Sequence, residues 1–237
     1  MLCKLCQKDD QLKKSHIIPE FLYSTLYDEK HRFHEIHIDT NTRNKFTQKG
    51  VREPLLCNSC EQYFSKFERY ASLVLNSGFE LTVKRIEGLF HFEGVEYDQF
   101  KLFALSILWR ASVSSLDFFE EVNLASHEEI IRKMLLAGDA GQEDDYPFIL
   151  SPILHENEIV EALIVKPSLS GVDQNEAYRF VFGGITWVFI ISVNQVPDVI
   201  VQASISKSGV LKMLPQQMSE MGFLVGMAEE MVNKGKL

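Results

Sequence analysis

The 237-residue sequence contains few cysteines, four in all, and it lacks a long hydrophobic run. Its longest nearly uncharged stretch, Phe180 to Val193, falls short of the roughly 20 apolar residues that span a bilayer. No basic segment followed by an apolar one opens the chain, so a secretory leader is not expected. We therefore expect a cytoplasmic protein without a membrane partner, whose cysteines stay reduced and free to bind metal.

Familiar catalytic signatures are missing from the C-terminal part. Nothing there has the spacing of a phosphate loop, a nucleophile elbow or a dinucleotide fingerprint, and the chain contains no internal repeat. An apolar fraction of 46% with 24% charged residues is typical of a folded globular protein. The sequence thus predicts a folded C-terminal region and leaves its role unknown.

Acidic charge is concentrated in that same region. The formal net charge is −9, but residues 1–94 contain 14 Lys/Arg against 13 Asp/Glu, whereas residues 95–237 contain 10 against 20. The overall balance argues against a general nucleic-acid coat protein. The N-terminal part remains free to approach phosphates, because six basic residues between positions 30 and 52 face only two acidic ones: Lys30, Arg32, Arg43, Lys45, Lys49 and Arg52 against Glu35 and Asp39.

Local patterns predict an α+β protein of two domains, residues 1–90 and residues 95–237. In the first, helical spacing of apolar residues predicts a helix that begins at the second cysteine pair, Cys57/Cys60, and stops at Asn76-Ser77-Gly78. Loose alternation in RFHEIHI (Phe33, Ile36, Ile38), a polar turn and NKFTQKG predict a hairpin before it.

The second predicted domain mixes helices and strands. A mostly buried helix is expected over 97–119, followed by a helix with a capping box of Ser126 and Glu129 and a stop at Gly138. Trp109 and Trp187 are expected in the core. Further strands are expected at 147–154, 158–168, 178–184, 185–193 and 197–206, before a last helix over 215–233.

All four cysteines belong to two C-x2-C pairs, Cys3/Cys6 and Cys57/Cys60. A two-residue spacing lets both thiolates of a pair reach one tetrahedral ion, so two pairs close a four-thiolate structural Zn²⁺ site. Four unrelated buried cysteines are the alternative. A knuckle, a hairpin and a knuckle that opens a helix follow one another in the order of a treble-clef zinc fold.

Between the two pairs lies Ser15-His16-Ile17-Ile18-Pro19. With this placement, the N-terminal seventy or so residues resemble the HNH, or ββα-metal, endonuclease family. The resemblance implies that His16 is the general base that activates water toward a phosphodiester. It also implies that Ser15 and Glu61 match the positions that hold a catalytic divalent ion, Mg²⁺ or Mn²⁺, while the cysteines hold structural zinc.

The chain departs from the family pattern at both ion positions, because Ser15 replaces an acidic residue or histidine and Glu61 replaces an asparagine or histidine. The insertion between His16 and Cys57 is long, and it could supply a ligand through His34 or His37. It could equally be a DNA-contacting hairpin or only a longer hairpin.

The resemblance implies an endonuclease for DNA, or RNA, of the kind used in restriction or phage defence. An ordinary strand histidine is the alternative for His16, and a helix-dipole contact is the alternative for Glu61. In those cases the protein contains a non-catalytic zinc module that binds nucleic acid or a protein, or a purely structural treble clef that supports an activity in the C-terminal domain. That acidic domain would provide specificity, a partner contact or self-association.

Overall fold

The computed structural model describes residues 1–37, 39–191 and 195–236. Its N-terminal part contains β1 (Leu12–His16), a 3-10 helix (Glu20–Leu26), β2 (Phe33–Glu35), β3 (Lys45–Thr47), β4 (Arg52–Cys57) and α1 (Asn58–Leu75). Strands β1 and β4 pair antiparallel, as do β2 and β3. The predicted hairpin and helix are therefore confirmed, although Ile38, part of the predicted alternation, lies outside the described residues.

The remaining elements start at residue 82 and form a mixed α+β layer. They are β5 (Thr82–Ile86), β6 (Leu89–Glu93), α2 (Tyr97–Val113), a 3-10 helix (Asp117–Phe119), α3 (Ser126–Ala137), β7 (Phe148–His155), β8 (Glu158–Ile159), β9 (Val165–Val172), β10 (Asn175–Phe182), β11 (Ile185–Ile191), α4 (Asp198–Ala203), β12 (Val210–Met213), β13 (Gln216–Gln217), a 3-10 helix (Met218–Glu220) and α5 (Gly222–Asn233). One sheet has the order β5-β6-β12-β7-β11-β10-β9, with β8 and β13 paired to β7.

Helix α2 lies at the centre of the molecule. Its residues are buried on nearly every face, as the sequence predicts, so it must be covered on all sides. Phe64 of α1 contacts Trp109 edge to face on one side, with ring centroids 6.3 Å apart. On another side Phe100 stacks on Trp187 of the sheet, at 6.0 Å. Both tryptophans are fully buried, as predicted.

One hydrophobic cluster runs through both predicted domains, from Cys3 to Met213. Strands β5 and β6, most of which fall within the predicted range 1–90, belong to the same sheet as β7 to β11, because β6 pairs with β12. The predicted boundary near Gly88 is a tight turn of the β5–β6 hairpin, where Glu87 and Gly88 both have positive φ. The division into 1–90 and 95–237 stays a prediction, and the shared core is the feature against which it must be tested.

Several predicted elements differ in the structure. The segment 197–206, predicted as a strand from its Val/Ile content, instead forms α4: Pro197 precedes the helix, Asp198 lies in its first turn, and Ile200 packs into a small apolar cluster. The predicted capping box is not formed, because Ser126 is the first helical residue and Ala125 takes the N-cap position; Glu129 pairs with Arg132. Gly138 does end α3 in the left-handed conformation, with φ of 70°.

Other predicted bounds change by a few residues. The strand expected over 158–168 is divided into β8 and β9, and the helix expected over 97–119 ends at Val113. The last helix begins at Gly222 rather than 215. Strand β11 is described to Ile191, so the last residues of the predicted strand 185–193 lie outside the described residues.

Candidate metal centre and adjoining charged cluster

The four cysteines lie together at the start of α1. Their sulfur atoms are all within 4.8 Å of one another, and Cys3, Cys57 and Cys60 are buried. Cys6 Sγ lies 3.8 Å from Cys57 Sγ. Tetrahedral Zn–S bonds of about 2.3 Å place neighbouring sulfurs about 3.8 Å apart, so the arrangement fits one such ion. The cluster can hold a metal such as zinc, as the C-x2-C spacing predicts.

Two local structures bring the cysteine pairs together. After Cys6 the chain reverses through Gln7, which has φ of 57° and donates a backbone hydrogen bond to the Cys3 carbonyl at 2.9 Å. Cys57 ends β4 and precedes the first residue of α1, and its backbone N–H donates to Cys3 Sγ at 3.2 Å. Backbone N–H groups and the positive end of a helix both favour thiolate over thiol at such a position.

The chemistry of the cluster also fits a cation. Without metal charge, burial and the neighbouring thiols raise the pKa of the Cys60 thiol. A bound cation lowers the pKa of the thiol again, because the cation is coordinated by the deprotonated form. Arg132 of α3 lies at the knuckle, where its Nη1 donates to the Leu5 carbonyl at 2.6 Å. A positive charge there favours the negative charge of a metal with four thiolates.

The side chains of Ser15 and Glu61, the two predicted ligands of a catalytic ion, contact each other next to the four cysteines. Ser15 is fully buried, its hydroxyl donates a hydrogen bond to Glu61 Oε1, and it accepts one from the Leu56 backbone N–H at 3.2 Å. Burial raises the pKa of the Glu61 carboxyl, while the Ser15 hydrogen bond and the charge of Arg110 act in the opposite direction. Ser15 and Glu61 thus lie close together, but they are hydrogen-bonded to each other.

His16 ends β1 with a partly shielded ring. Its Nε2 is buried and lies 2.9 Å from Glu20 Oε2, within ion-pair distance but without the alignment of a hydrogen bond. About a quarter of the side chain, 26%, remains exposed, and this fraction belongs to its other atoms. Burial lowers the pKa of His16, and the positive charges of Arg52 and Arg110 act in the same direction against Glu20 and Glu68.

Arg110, on α2, contacts both β1 and α1. Its side chain is only 2% exposed, and its Nη1 donates to Glu68 Oε1 at 2.8 Å and to the His16 carbonyl at 2.6 Å. The charges of Glu68 and Arg110 act on both His16 and Glu61. We call the five residues the charged cluster: His16, Glu20, Glu61, Glu68 and Arg110.

A second metal centre is not formed by the side chains that were predicted to build one. Across the described ranges, the four cysteines are the one group of three or more His, Cys, Asp or Glu residues close enough to share an ion. His34 instead stacks on Phe46, and His37 Nε2 lies 3.1 Å from Glu35. The residues present do not assemble a Mg²⁺ or Mn²⁺ site in this conformation.

Sequence reasoning did not place three members in the cluster, Glu20, Glu68 and Arg110. Glu20 opens the 3-10 helix after Pro19, and the change of direction between β1 and that helix brings its carboxylate to His16. Arg110 is a charged residue on a largely apolar buried helix, and a charge in such a place requires a partner.

Comparisons of the chain with protein-family models, with curated proteins and with solved structures find no match. Among the described residues, the helices are all too short or too polar to cross a membrane.

Proposed function

We propose that this protein is a zinc-containing phosphodiester hydrolase that resembles HNH endonucleases and acts on DNA or RNA through the charged cluster. The observation that carries the proposal is that half-buried ionisable side chains gather around the buried Arg110 beside the four-cysteine site. Withdrawing such groups from water is costly unless they are paired, and clusters of this kind with shifted pKa values concentrate at functional sites. A purely structural zinc module would not require His16 and Glu61 to be gathered around a buried Arg110.

The metal in this proposal is structural zinc, held in a treble-clef module. Four thiolates fill the coordination shell of Zn²⁺ and leave no open position for substrate, so the ion fixes β4 and the start of α1 rather than taking part in chemistry. Its contribution is positional: Cys57 and Cys60 set the first turn of α1, and Glu61 follows directly. Strand β4 and the start of α1 also hold Ser15 and His16, on β1, next to α1.

His16 is the general base in this account. The carboxylate of Glu20 near Nε2 favours the tautomer with its proton there, which leaves Nδ1 free to accept a proton from water. The lowered pKa keeps the imidazole neutral near pH 7, as a base requires. Arg52 is the strand partner of His16 and makes no ion pair among the described residues, so its guanidinium is available to a phosphate.

Dependence on Mg²⁺ or Mn²⁺ belongs to the proposal by resemblance alone, and we derive no step through such an ion. The C-terminal sheet and helices, which carry the excess of acidic residues, would provide specificity, self-association or a protein contact. A role in restriction or phage defence is what the resemblance implies for the biology.

A second candidate function is a non-catalytic zinc module that binds nucleic acid or protein. It is favoured by the shielding of His16 Nε2 and by the mutual hydrogen bond of Ser15 and Glu61, which occupies both predicted ion positions. Here the charged cluster would serve to anchor α1 on α2 and β1.

Cleavage of supercoiled plasmid and of a labelled single strand tests the proposal, with Mg²⁺, with Mn²⁺ and without added ion. We expect cleavage by the wild type and a loss of about 10²- to 10⁴-fold in rate for His16→Ala, the usual contribution of a positioned base. His155→Ala is the matched control, because His155 is an exposed histidine in the C-terminal sheet.

The zinc content and melting temperature of both variants must equal those of the wild type. Glu61→Gln, which removes the charge but keeps an oxygen that can accept the Ser15 hydrogen bond, is expected to slow cleavage, because Glu61 belongs to the charged cluster. Equal cleavage by His16→Ala and wild type would refute the assigned base. No cleavage by the wild type under any ion condition, with nucleic-acid binding intact, would favour the second candidate.

A further inference from the structure

We infer that the β2–β3 hairpin is a stacking surface for unpaired bases, which makes single-stranded nucleic acid the preferred ligand of this protein. The inference rests on the proposed function in one respect only, that the ligand is a nucleic acid. It adds which strand form is bound and which side chains bind it.

Three side chains form the surface, and we call them the stacking platform: Arg32, His34 and Phe46. Phe46 is 58% exposed, although it is one of the most apolar residue types. The His34 ring stacks on it with centroids 4.9 Å apart and an interplanar angle of 22°. The Arg32 guanidinium lies over the same ring at 4.5 Å. The three groups therefore present a partly pre-ordered set of flat surfaces to solvent.

The register of the hairpin explains why this face points outward. His34 is paired with Phe46 across the strands, and Arg32, two residues earlier, falls on the same face because side chains alternate along a strand. Phe33, between them, points to the opposite side, where its ring contacts Tyr23 and Tyr27 at 5.5 and 5.7 Å. The inner face thus anchors the hairpin, and the outer face is left without a packing role.

Basic residues outnumber acidic ones in the segment that carries the platform, although the protein is acidic overall and Arg32 itself pairs with Asp28 at 2.8 Å. Within the described residues, four basic side chains of this segment make no ion pair: Lys30, Arg43, Lys49 and Arg52. The end of the chain adds a further amine that the sequence does not reveal, because Lys236 Nζ donates to the Thr42 carbonyl at 2.6 Å and Asn44 donates to the Lys236 carbonyl at 2.9 Å. Phosphates that follow a strand would meet these groups.

The inner side of the hairpin joins the charged cluster. Tyr27, which contacts Phe33 on that side, donates a hydrogen bond of 2.5 Å to Glu20, the same carboxylate that lies beside His16. The Tyr27 ring also stacks on His31 at 3.9 Å, immediately before Arg32. The hairpin that carries the platform is therefore held against the element that carries the charged cluster.

Geometry favours single strands over duplexes as the ligand. The faces of bases are available only when they are unstacked, whereas a duplex presents edges and phosphates. Proteins that bind single strands combine aromatic rings for base faces with a basic groove for the backbone, and arginine adds to the stack. The hairpin has both components.

Fluorescence anisotropy with labelled oligonucleotides tests the inference in buffer without added divalent ion, so that cleavage does not interfere. The probes are (dT)20, (rU)20 and a 20-base-pair duplex. We expect both single strands to bind at least tenfold more tightly than the duplex, and a preference between the first two would identify DNA or RNA as the ligand.

Phe46→Ala is expected to weaken binding of the single strands by roughly 5- to 150-fold, the value of one base stack, and to change duplex binding little. Phe46→Trp keeps a flat ring and should bind at least as tightly as the wild type, which separates stacking from disruption of the hairpin. Leu169→Ala is the control, since Leu169 is an exposed apolar residue of similar accessibility on β9, at 56%.

Equal affinity for duplex and single strands, or no effect of Phe46→Ala, would overturn the inference. Either result accompanied by plasmid cleavage would leave the proposed hydrolase standing. Tight, Phe46-dependent binding without any cleavage would uphold the platform and refute the hydrolase, so the two failures are distinguishable.

Discussion

Arg110 Nη1 donates a hydrogen bond of 2.6 Å to the backbone carbonyl of His16, 94 residues earlier in the chain. The same nitrogen forms an ion pair with Glu68 on α1. One buried guanidinium thus fixes the end of β1, the middle of α1 and the last turn of α2 relative to one another. The position of the proposed base depends on this contact as well as on the cysteines.

Loss of Arg110 is expected to destabilise the whole protein. Arg110→Met would leave Glu68 and the His16 carbonyl without their partner, and breaking a buried pair in this way typically costs about 3–5 kcal/mol of unfolding free energy. Urea denaturation measures the change. Arg69→Met, at an exposed neighbouring arginine of the same charge, should cost less than about 0.5 kcal/mol. A loss of under about 1 kcal/mol for Arg110→Met would contradict the anchoring role.

The shared core predicts that the C-terminal region does not fold alone. A fragment of residues 95–237 lacks β6, the antiparallel partner of β12, and lacks α1, which covers Trp109. We expect no cooperative thermal transition for this fragment and a single transition for the whole chain. A longer fragment that starts at residue 79 restores β5 and β6 but not α1, and we expect it to fail as well. Cooperative unfolding of the shorter fragment would instead support two independent domains.

Lys101 gives the protein a specific pH dependence. Its side chain is 1% exposed, its amine donates to Tyr97 Oη at 2.8 Å and to the Gln142 carbonyl, and burial lowers its pKa from 10.5 to about 8. The acidic residues 143–145 oppose this shift and Lys207 adds to it. Below about pH 8 the amine is protonated in both folded and unfolded chains, so the folded state carries the full cost of a buried charge.

Between about pH 8 and 10.5 the unfolded chain keeps this proton while the folded one loses it, so the contribution of Lys101 to stability rises with pH. The total rise is on the order of 3 kcal/mol at 1.36 kcal/mol per pKa unit. The Lys101→Met variant should lack this rise in stability. Urea denaturation at pH 7.5 and 9.5 should therefore show that the free energy of unfolding of the wild type increases relative to that of Lys101→Met as the pH is raised. A constant difference between the two proteins would mean that Lys101 does not titrate in this range.

Local signals in the sequence were sufficient for α1, α2 and the four-cysteine site. The helices have strong apolar periodicity with clear ends, and two C-x2-C pairs have few other uses in a reduced protein. Segment 197–206 was predicted wrongly because Val and Ile favour strands, whereas tertiary packing of Ile200 and the preceding Pro197 decide in favour of a helix.

The rest of the fold depends on contacts between distant parts of the chain. Strand β12 pairs with β6 more than 110 residues earlier, and no local pattern specifies such pairing. The Ser126 capping box was predicted from spacing, but α3 starts at Ser126 itself, with Ala125 as its N-cap residue. Likewise Glu20 could be placed beside His16 only once the turn after Pro19 was known.

Zinc content of the purified protein is the most direct measurement of the central claim, because in the proposed function a zinc ion holds both the fold around α1 and the position of His16. For protein prepared without chelator, elemental analysis should find one zinc per chain. Cys57→Ser should lose the ion and destabilise the whole chain, because metal binding is coupled to folding and the N-terminal part shares its core with the rest. Ser59→Ala, an exposed change between the ligands, should retain both the ion and the stability. Wild-type protein that folds with less than about 0.1 zinc per chain would contradict the account.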